Sequence, residues 1–266
     1  MRIDAAKFFS FSPTGTTQKV LEGIAQGLGW PEAERVDLTR PKAQAQGVCD
    51  SGVLTVIGAP VYAGRLPAEA VRRLRPLRGK GGPAVLFVVY GNRAYEDALL
   101  ELSNLAVELG FFPIGAGAFI GEHSFSTPAT PVAVGRPDAA DLRLAREFGQ
   151  AVAAKLAAAP GTAAMDPLIV PGNMPYRDGA TTGGLAPETV ADECERCGQC
   201  VTACPVGCVH LEDSGVVTDK AACIRCCACV KGCPTGARVM TDASIQAIAT
   251  RLATNCKDRK APEYFV

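Results

Sequence analysis

Twelve cysteines set the chemistry of this 266-residue chain, and their spacing is uneven. Cys49 stands alone in the first 190 residues, and the other eleven fall between Cys194 and Cys256. Within that stretch the sequence repeats itself at an offset of 29 residues: CERCGQCVTACPVGC runs from Cys194 to Cys208, and CIRCCACVKGCPTGA from Cys223 to Ala237. Both copies contain C-x2-C-x2-C-x3-C-P. The N-terminus enters an apolar, strand-like segment at once, without a basic-then-apolar-then-small leader, so a cytoplasmic chain is expected. In that compartment such a cluster points to metal binding or redox chemistry rather than a disulfide scaffold.

Residues 186–240 thereby resemble the bacterial two-cluster ferredoxins. Three cysteines at two-residue gaps wrap one iron–sulfur cube, the proline turns the chain away, and the fourth cysteine ligates the other cube. This reading assigns Cys194, Cys197, Cys200 and Cys233 to one [4Fe-4S] cluster and Cys223, Cys226, Cys229 and Cys204 to a second. Two zinc sites of four cysteines each are the alternative, but zinc usually takes two C-x2-4-C pairs with a longer spacer. Cys208 aligns with Ala237 and Cys227 with Gly198. The plain reading makes both small buried fillers, and the sharper one gives them a redox or alternative-ligand role. Cys256 follows a helix pattern over Ala243–Thr254 and has no assigned role.

The elements that must position this chemistry alternate along the first 160 residues. Apolar strand patterns lie at Ile3–Phe11, Glu34–Leu38, Gly52–Ala59, Pro83–Tyr90 and Phe112–Phe119. Helix patterns lie at Thr16–Leu28, Pro67–Leu74, Tyr95–Leu109 and Pro137–Ala158. Strands apolar throughout and separated by helices indicate a parallel sheet covered on both faces, here with room for the doubly wound order 2-1-3-4-5. The expectation is an α/β domain over residues 1–159, a Gly/Pro/Thr/Ala-rich linker over 160–185 (tether or wrapped connection), a small α+β domain over 186–240 and a C-terminal helix and tail over 241–266.

Ligands of such sheets bind at the C-terminal strand ends. The loop after the first strand, Ser10 to Thr17, is dense in hydroxyls and runs straight into a helix, where N–H groups and the helix dipole favour a phosphate. It lacks the lysine of a nucleotide-hydrolysing P-loop and the G-x-G-x-x-G of dinucleotide sites. A plain helix cap is the alternative. The run Ser12-Pro13-Thr14-Gly15-Thr16-Thr17 matches the [ST]-x-T-G-x-T phosphate loop of the flavodoxin family, which the first 158 residues resemble. That resemblance implies FMN, its phosphate held by Ser12, Thr14, Gly15, Thr16 and Thr17 with Ser10 beside them. It also implies a ring flanked by Pro60, Val61, Tyr62, Ala63 and Gly64 after the third strand. Tyr90, Gly91, Asn92, Arg93 and Tyr95 after the fourth strand would flank its other side. Tyr62 and Tyr95 are the aromatic candidates, with ordinary loop packing as their alternative. His123, after the fifth strand, is read as structural, as a rim contact to FMN or as a proton source for its N5.

The sole Trp, Trp30, lies away from these loops, and residues 1–160 hold 17 Lys+Arg against 15 Asp+Glu. The acidic surroundings of many flavodoxins are absent, which makes a reduced anionic flavin less costly. The basic run Arg65, Arg72, Arg73, Arg75, Arg78 and Lys80 is either a solvated face or a docking face for an acidic partner or the cluster domain. Whole-chain formal charge is +0, which excludes a strongly basic nucleic-acid binder, and no apolar run approaches the length of a membrane span.

Together the halves resemble the flavodoxin–ferredoxin fusion proteins of the EFR type, found mostly in anaerobes. Clusters move one electron at a time and a flavin one or two, so the fusion implies an electron-transfer protein working between redox partner proteins. The alternatives are a flavin-dependent oxidoreductase acting on a quinone, disulfide or free flavin, and a zinc-bearing binding module.

Overall fold

The computed structural model describes residues 1–179 and 184–266. Five strands, β1 (Ala5–Ser10), β2 (Glu34–Asp37), β3 (Val53–Pro60), β4 (Pro83–Tyr90) and β5 (Phe112–Ile120), alternate with helices α1 (Thr16–Leu28), α2 (Ala68–Leu74), α3 (Ala98–Glu108) and α4 (Ala139–Ala158). The strands are parallel and take the order β2-β1-β3-β4-β5, the flavodoxin-like doubly wound arrangement.

Neighbouring residues of these strands face opposite sides of the sheet, and both sides are apolar. Phe8, Val56, Val85 and Phe87 enter one core with Ile24 of α1 and Phe148 of α4. Phe9, Ile57, Leu86 and Val88 enter the other with Leu74 of α2 and Leu99 of α3. This two-sided burial is why β3, β4 and β5 read as continuous apolar runs rather than alternating ones.

The C-terminal region is a small ferredoxin-like domain. Its short helices α5 (Gln199–Ala203) and α6 (Ala228–Lys231) belong to the two cysteine motifs. Between them lies the hairpin of β6 (Val209–Glu212) and β7 (Gly215–Thr218), and Glu188–Thr189 pairs with Arg238–Val239 to close the domain. Helix α7 (Ala243–Asn255) follows, with Asp242 capping it through Ser244 N and Ile245 N.

The chain then returns to the first half. Strand β8 (Glu263–Phe265) adds to β5 in antiparallel register, so the sheet has a sixth strand at its edge that the sequence analysis left within the tail. The tail is fixed on both sides. Asn92 Nδ2 donates to the carbonyls of Cys256 and Asp258, each at 2.9 Å, and Arg259 pairs with Asp138 at 2.7 Å.

The expected linker falls partly on residues 180–183, outside the described residues. The stretch before them is wrapped against the first half. Asp97 accepts hydrogen bonds from Asn173 N and Arg177 N at 2.8 Å each, Arg65 donates to Arg177 O, and Val170 is buried among the core of α3.

Candidate functional site

The C-terminal ends of β1, β3, β4 and β5 surround one cavity of about 530 Å³, within the range of small-molecule sites. On the strand side it is lined by Thr14 and Thr16, by Pro60 to Ala63, by Tyr90, Gly91 and Arg93, and by the loop from Gly121 to Phe125.

The loop after β1 is shaped by Gly15, whose φ of 81° is left-handed and turns the chain into α1. Ser12 Oγ accepts from Gln18 N at 3.0 Å and so serves as a cap. Ser10 Oγ donates to Gln18 Oε1 at 2.9 Å. Thr17 is fully buried and its hydroxyl has no hydrogen-bond partner. An orphaned buried hydroxyl costs about 1–3 kcal/mol, so the turn is incomplete without another acceptor or donor. An anion at this helix N-terminus, beside Thr14 and Thr16, would complete it.

The loop after β3 is a tight turn. Tyr62 N donates to Arg65 O at 2.9 Å and Arg65 N to Tyr62 O at 3.1 Å, with Ala63 and Gly64 both at positive φ. Tyr62 lines the cavity, and its phenol is pushed well above its ordinary pKa, first by burial and then by the Cys226 and Cys227 thiols behind it. Burial also pushes the Tyr90 phenol up to about 12.

His123 lines the cavity against Gly91, where any Cβ would come within 2.3 Å of the imidazole. Its Nδ1 accepts from Phe125 N at 3.0 Å, leaving Nε2 to carry the proton of the neutral ring. Burial, and then the charges of Arg93 and Lys231, lower its pKa to about 4. The ring is therefore neutral at pH 7: it has a hydrogen bond to give but no imidazolium proton.

Seven expected site residues do not line the cavity: Ser10, Ser12 and Thr17 of the turn described above, and Gly15, Gly64, Asn92 and Tyr95. Tyr95 packs at a tilt against Tyr90, 5.5 Å between centroids, and donates to Glu263 Oε2 at 3.1 Å, so it serves the tail. Asn92 is buried and holds the tail carbonyls described above. Gly64 faces Glu96, and Gly15 acts through its backbone turn.

The opposite wall escaped the sequence analysis. It is built by Arg177 and Gly179 of the wrapped segment, by Ile224 and Arg225 of the second cysteine motif, and by Ile245, Ile248, Arg251 and Leu252 of α7. The apolar positions 245, 248 and 252 lie on one face of a helix, a visible signal, but nothing in the sequence shows what that face covers.

The cysteine motifs differ in setting. Cys204, Cys223, Cys226 and Cys229 are buried and line a single internal cavity, together with Cys208 and Cys227. Backbone N–H groups already point at sulfur there: Cys208 N lies 3.3 Å from Cys204 Sγ, and Arg225 N lies 3.4 Å from Cys223 Sγ. The Cys208 thiol sits 3.5 Å from Cys204 Sγ. Its bonds to Cys204 and Cys223 push its own pKa up while lowering theirs, to about 5 and about 7. Thiolates at Cys204 and Cys223 with a protonated Cys208 between them suit a thiolate-ligated centre.

In the other set, Cys200 is buried, Cys194 and Cys233 are half-buried, and Cys197 is exposed. Among the described residues, no three His, Cys, Asp or Glu side chains converge on a single ion. Cys227 adopts a left-handed φ of 58°, where the aligned Gly198 has 73°, and its side chain is buried.

The basic run is largely consumed within the first half: Arg65 pairs with Glu101, Arg72 with Glu69 and Arg75 with Glu108. Arg73 also pairs with Glu69, and it reaches the cysteine motifs as well. It is buried, donates to the carbonyls of Leu38, Thr39 and Arg40, and reaches Pro205 O at 2.6 Å, directly after Cys204. On the other side Lys231 bonds Glu122 at 2.6 Å and Ser126 O at 2.7 Å. Both contacts seat the second cysteine set against the first half.

Residues 187–210, which hold the first motif copy, match the family model of a 4Fe-4S binding domain. No curated protein matches the chain. Among solved structures, a flavodoxin from the domain Archaea is 14% identical, covering 57% of this chain and 99% of that one at a TM-score of 0.36. The flavodoxin of Streptococcus pneumoniae TIGR4 is 16% identical, with coverages of 57% and 99% and a TM-score of 0.39. The rubredoxin:oxygen oxidoreductase of Desulfovibrio gigas is 12% identical at a TM-score of 0.39. That match covers 62% of this chain but 38% of the other.

Proposed function

We propose that the chain is an electron-transfer flavo-iron–sulfur protein. In this reading it binds FMN in the strand-end cavity and two [4Fe-4S] clusters in the C-terminal domain, as the fusion proteins it resembles would. One observation carries the proposal: Ile224, between Cys223 and Cys226, lines both the cysteine cavity and the strand-end cavity. Tyr62, which lines the strand-end cavity, lies within electrostatic reach of Cys226 and Cys227.

When bound, FMN exchanges electrons singly or in pairs and each cluster exchanges one, so the two together couple one- and two-electron partners. The chain's own residues set the terms. Thr14, Thr16 and Thr17 with the α1 N-terminus hold the phosphate. Neutral His123 offers its Nε2 proton as a hydrogen bond at the rim. Arg93, Arg177, Arg225 and Arg251 leave the cavity basic, which favours a reduced anionic ring. Ile245, Ile248 and Leu252 shield it from water.

Cysteine exposure sets the outward side. Cys197 reaches the surface while the second ligand set is buried against the first half, so redox partner proteins meet the first cluster and the second cluster serves the flavin. No helix among the described residues is long and apolar enough to cross a membrane.

The test is anaerobic reconstitution with iron, sulfide and FMN. The expected product holds two clusters' worth of iron and one FMN per chain, with a broad shoulder near roughly 400 nm that bleaches on reduction over flavin bands. A colourless protein that binds zinc overturns the reading.

A further inference from the structure

Arg238 is 2% exposed, and among the described residues its guanidinium has no carboxylate partner. Nη1 donates to Thr189 Oγ1 at 2.7 Å and Nη2 to Thr218 Oγ1 at 2.8 Å, while Nε is buried without any acceptor. A buried cation whose oxygen partners are two hydroxyls is expensive, because neither hydroxyl returns the solvation lost. At the same repeat position the first copy carries Val209, an ordinary buried apolar residue. The fold therefore does not need an arginine here; apolar packing serves the symmetric site.

The surroundings show where the missing negative charge belongs. Nη2 lies 3.8 Å from Cys229 Sγ. The same charge acts on Cys200, whose thiol is otherwise pushed up by burial. The Arg238 backbone N–H is bonded to the Cys233 sulfur. Cys229 belongs to one proposed ligand set and Cys200 and Cys233 to the other, so this one residue touches both. Four thiolates on an oxidised cube leave each site near −2, and a cation between two such sites offsets charge that no other buried side chain of this domain offsets.

We infer that Arg238 is a positioning residue shared by both iron–sulfur clusters, a buried counter-charge that makes each easier to reduce. The inference rests on the two-cluster reading above. A positive charge at this place stabilises the more negative reduced state of either cluster, so it raises both reduction potentials. It donates no electron and ligates no metal; its effect is electrostatic and, through Nη2 and the backbone N–H, directional.

The experiment uses the full-length, reconstituted protein and its Arg238→Met and Arg238→Lys variants. Iron is counted, and cluster midpoint potentials are titrated with electron paramagnetic resonance as readout. The expected result is full iron in R238M with both midpoints shifted negative, and R238K close to wild type. Loss of iron from R238M with iron and potentials kept by R238K supports the same conclusion, since charge is then what holds the clusters. Two results overturn it: R238M with full iron and unmoved potentials, or R238M and R238K losing iron alike, which would make shape rather than charge the requirement. Wild-type protein that takes up no iron would instead overturn the two-cluster reading, and would do so before any substitution is compared.

Discussion

The two proposed ligand sets draw on motifs of identical spacing, yet they occupy opposite environments. In the set Cys194, Cys197, Cys200 and Cys233, Cys197 lies in solvent while Cys194 and Cys233 are half-buried. The set Cys204, Cys223, Cys226 and Cys229 is sealed: its cysteines line an internal cavity, Ile224 packs against the core of the first half, and Lys231 and the Arg73–Pro205 contact hold it in place. Spacing therefore picks out the candidate ligands, and docking decides which of them face solvent and which face the first half.

The sharpest way to break this comparison is to remove one ligand from each copy. Cys226→Ser should lose the second cluster and, because Ile224 and Arg225 then lose their anchorage, weaken FMN binding by about tenfold or more, near 1.4 kcal/mol. Cys197→Ser should lose the first cluster and leave FMN affinity unchanged. Iron content and fluorescence titration with FMN read both; equal FMN affinity in the two variants would remove the asymmetry.

FMN binding itself should depend on the strand-end loop rather than on the cluster domain alone. Thr14→Ala with Thr16→Ala should cost on the order of 100-fold in affinity, since bonds to a charged phosphate contribute about 1.5–3 kcal/mol each before compensation. Unchanged affinity would place the phosphate elsewhere.

A subtler reporter is His123, whose pKa is lowered in part by Lys231 of the second copy. Its native pKa near 4 lies below the unfolded value of about 6.5, so the unfolded chain binds the extra proton first. The stability this group contributes is complete above pH 6.5 and is lost as pH falls toward 4, up to about 3 kcal/mol. Lys231→Met should raise the His123 pKa in an NMR titration. Substitution of Thr202, its counterpart in the first copy, should leave it where it is.

The smallest expected effect concerns Cys227. Cys227→Gly relieves a left-handed φ but removes a buried thiol, so the two terms should cancel to within about 1 kcal/mol in denaturant unfolding, with iron content retained. Loss of iron would show that Cys227 is a ligand and that the register of the second motif is shifted.

Much of this molecule was legible in sequence because its signals are local. The ends of α1 and β4 fall where the apolar pattern and the flanking Gly and Pro put them, and the threonine-rich loop after β1 lies beside the cavity because a parallel strand must deliver its loop there. Tyr95 and Asn92 escaped correct placement because their partners, Glu263 and the Cys256 and Asp258 carbonyls, lie more than 160 residues away. Strand β8 is three residues long, too short for any periodicity, and exists only because β5 offers it an edge.

By itself, then, the sequence determined the strand order of the first half, the hydroxyl-rich turn into α1 and the doubled cysteine motif, all written in short-range spacing and burial pattern. Only the tertiary structure decided that α7 and the second motif form the far wall of the strand-end cavity, that Arg73 crosses to Pro205, and that Arg238 lies buried between two thiol sets. Those facts depend on how two surfaces meet, and surface complementarity has no period along the chain.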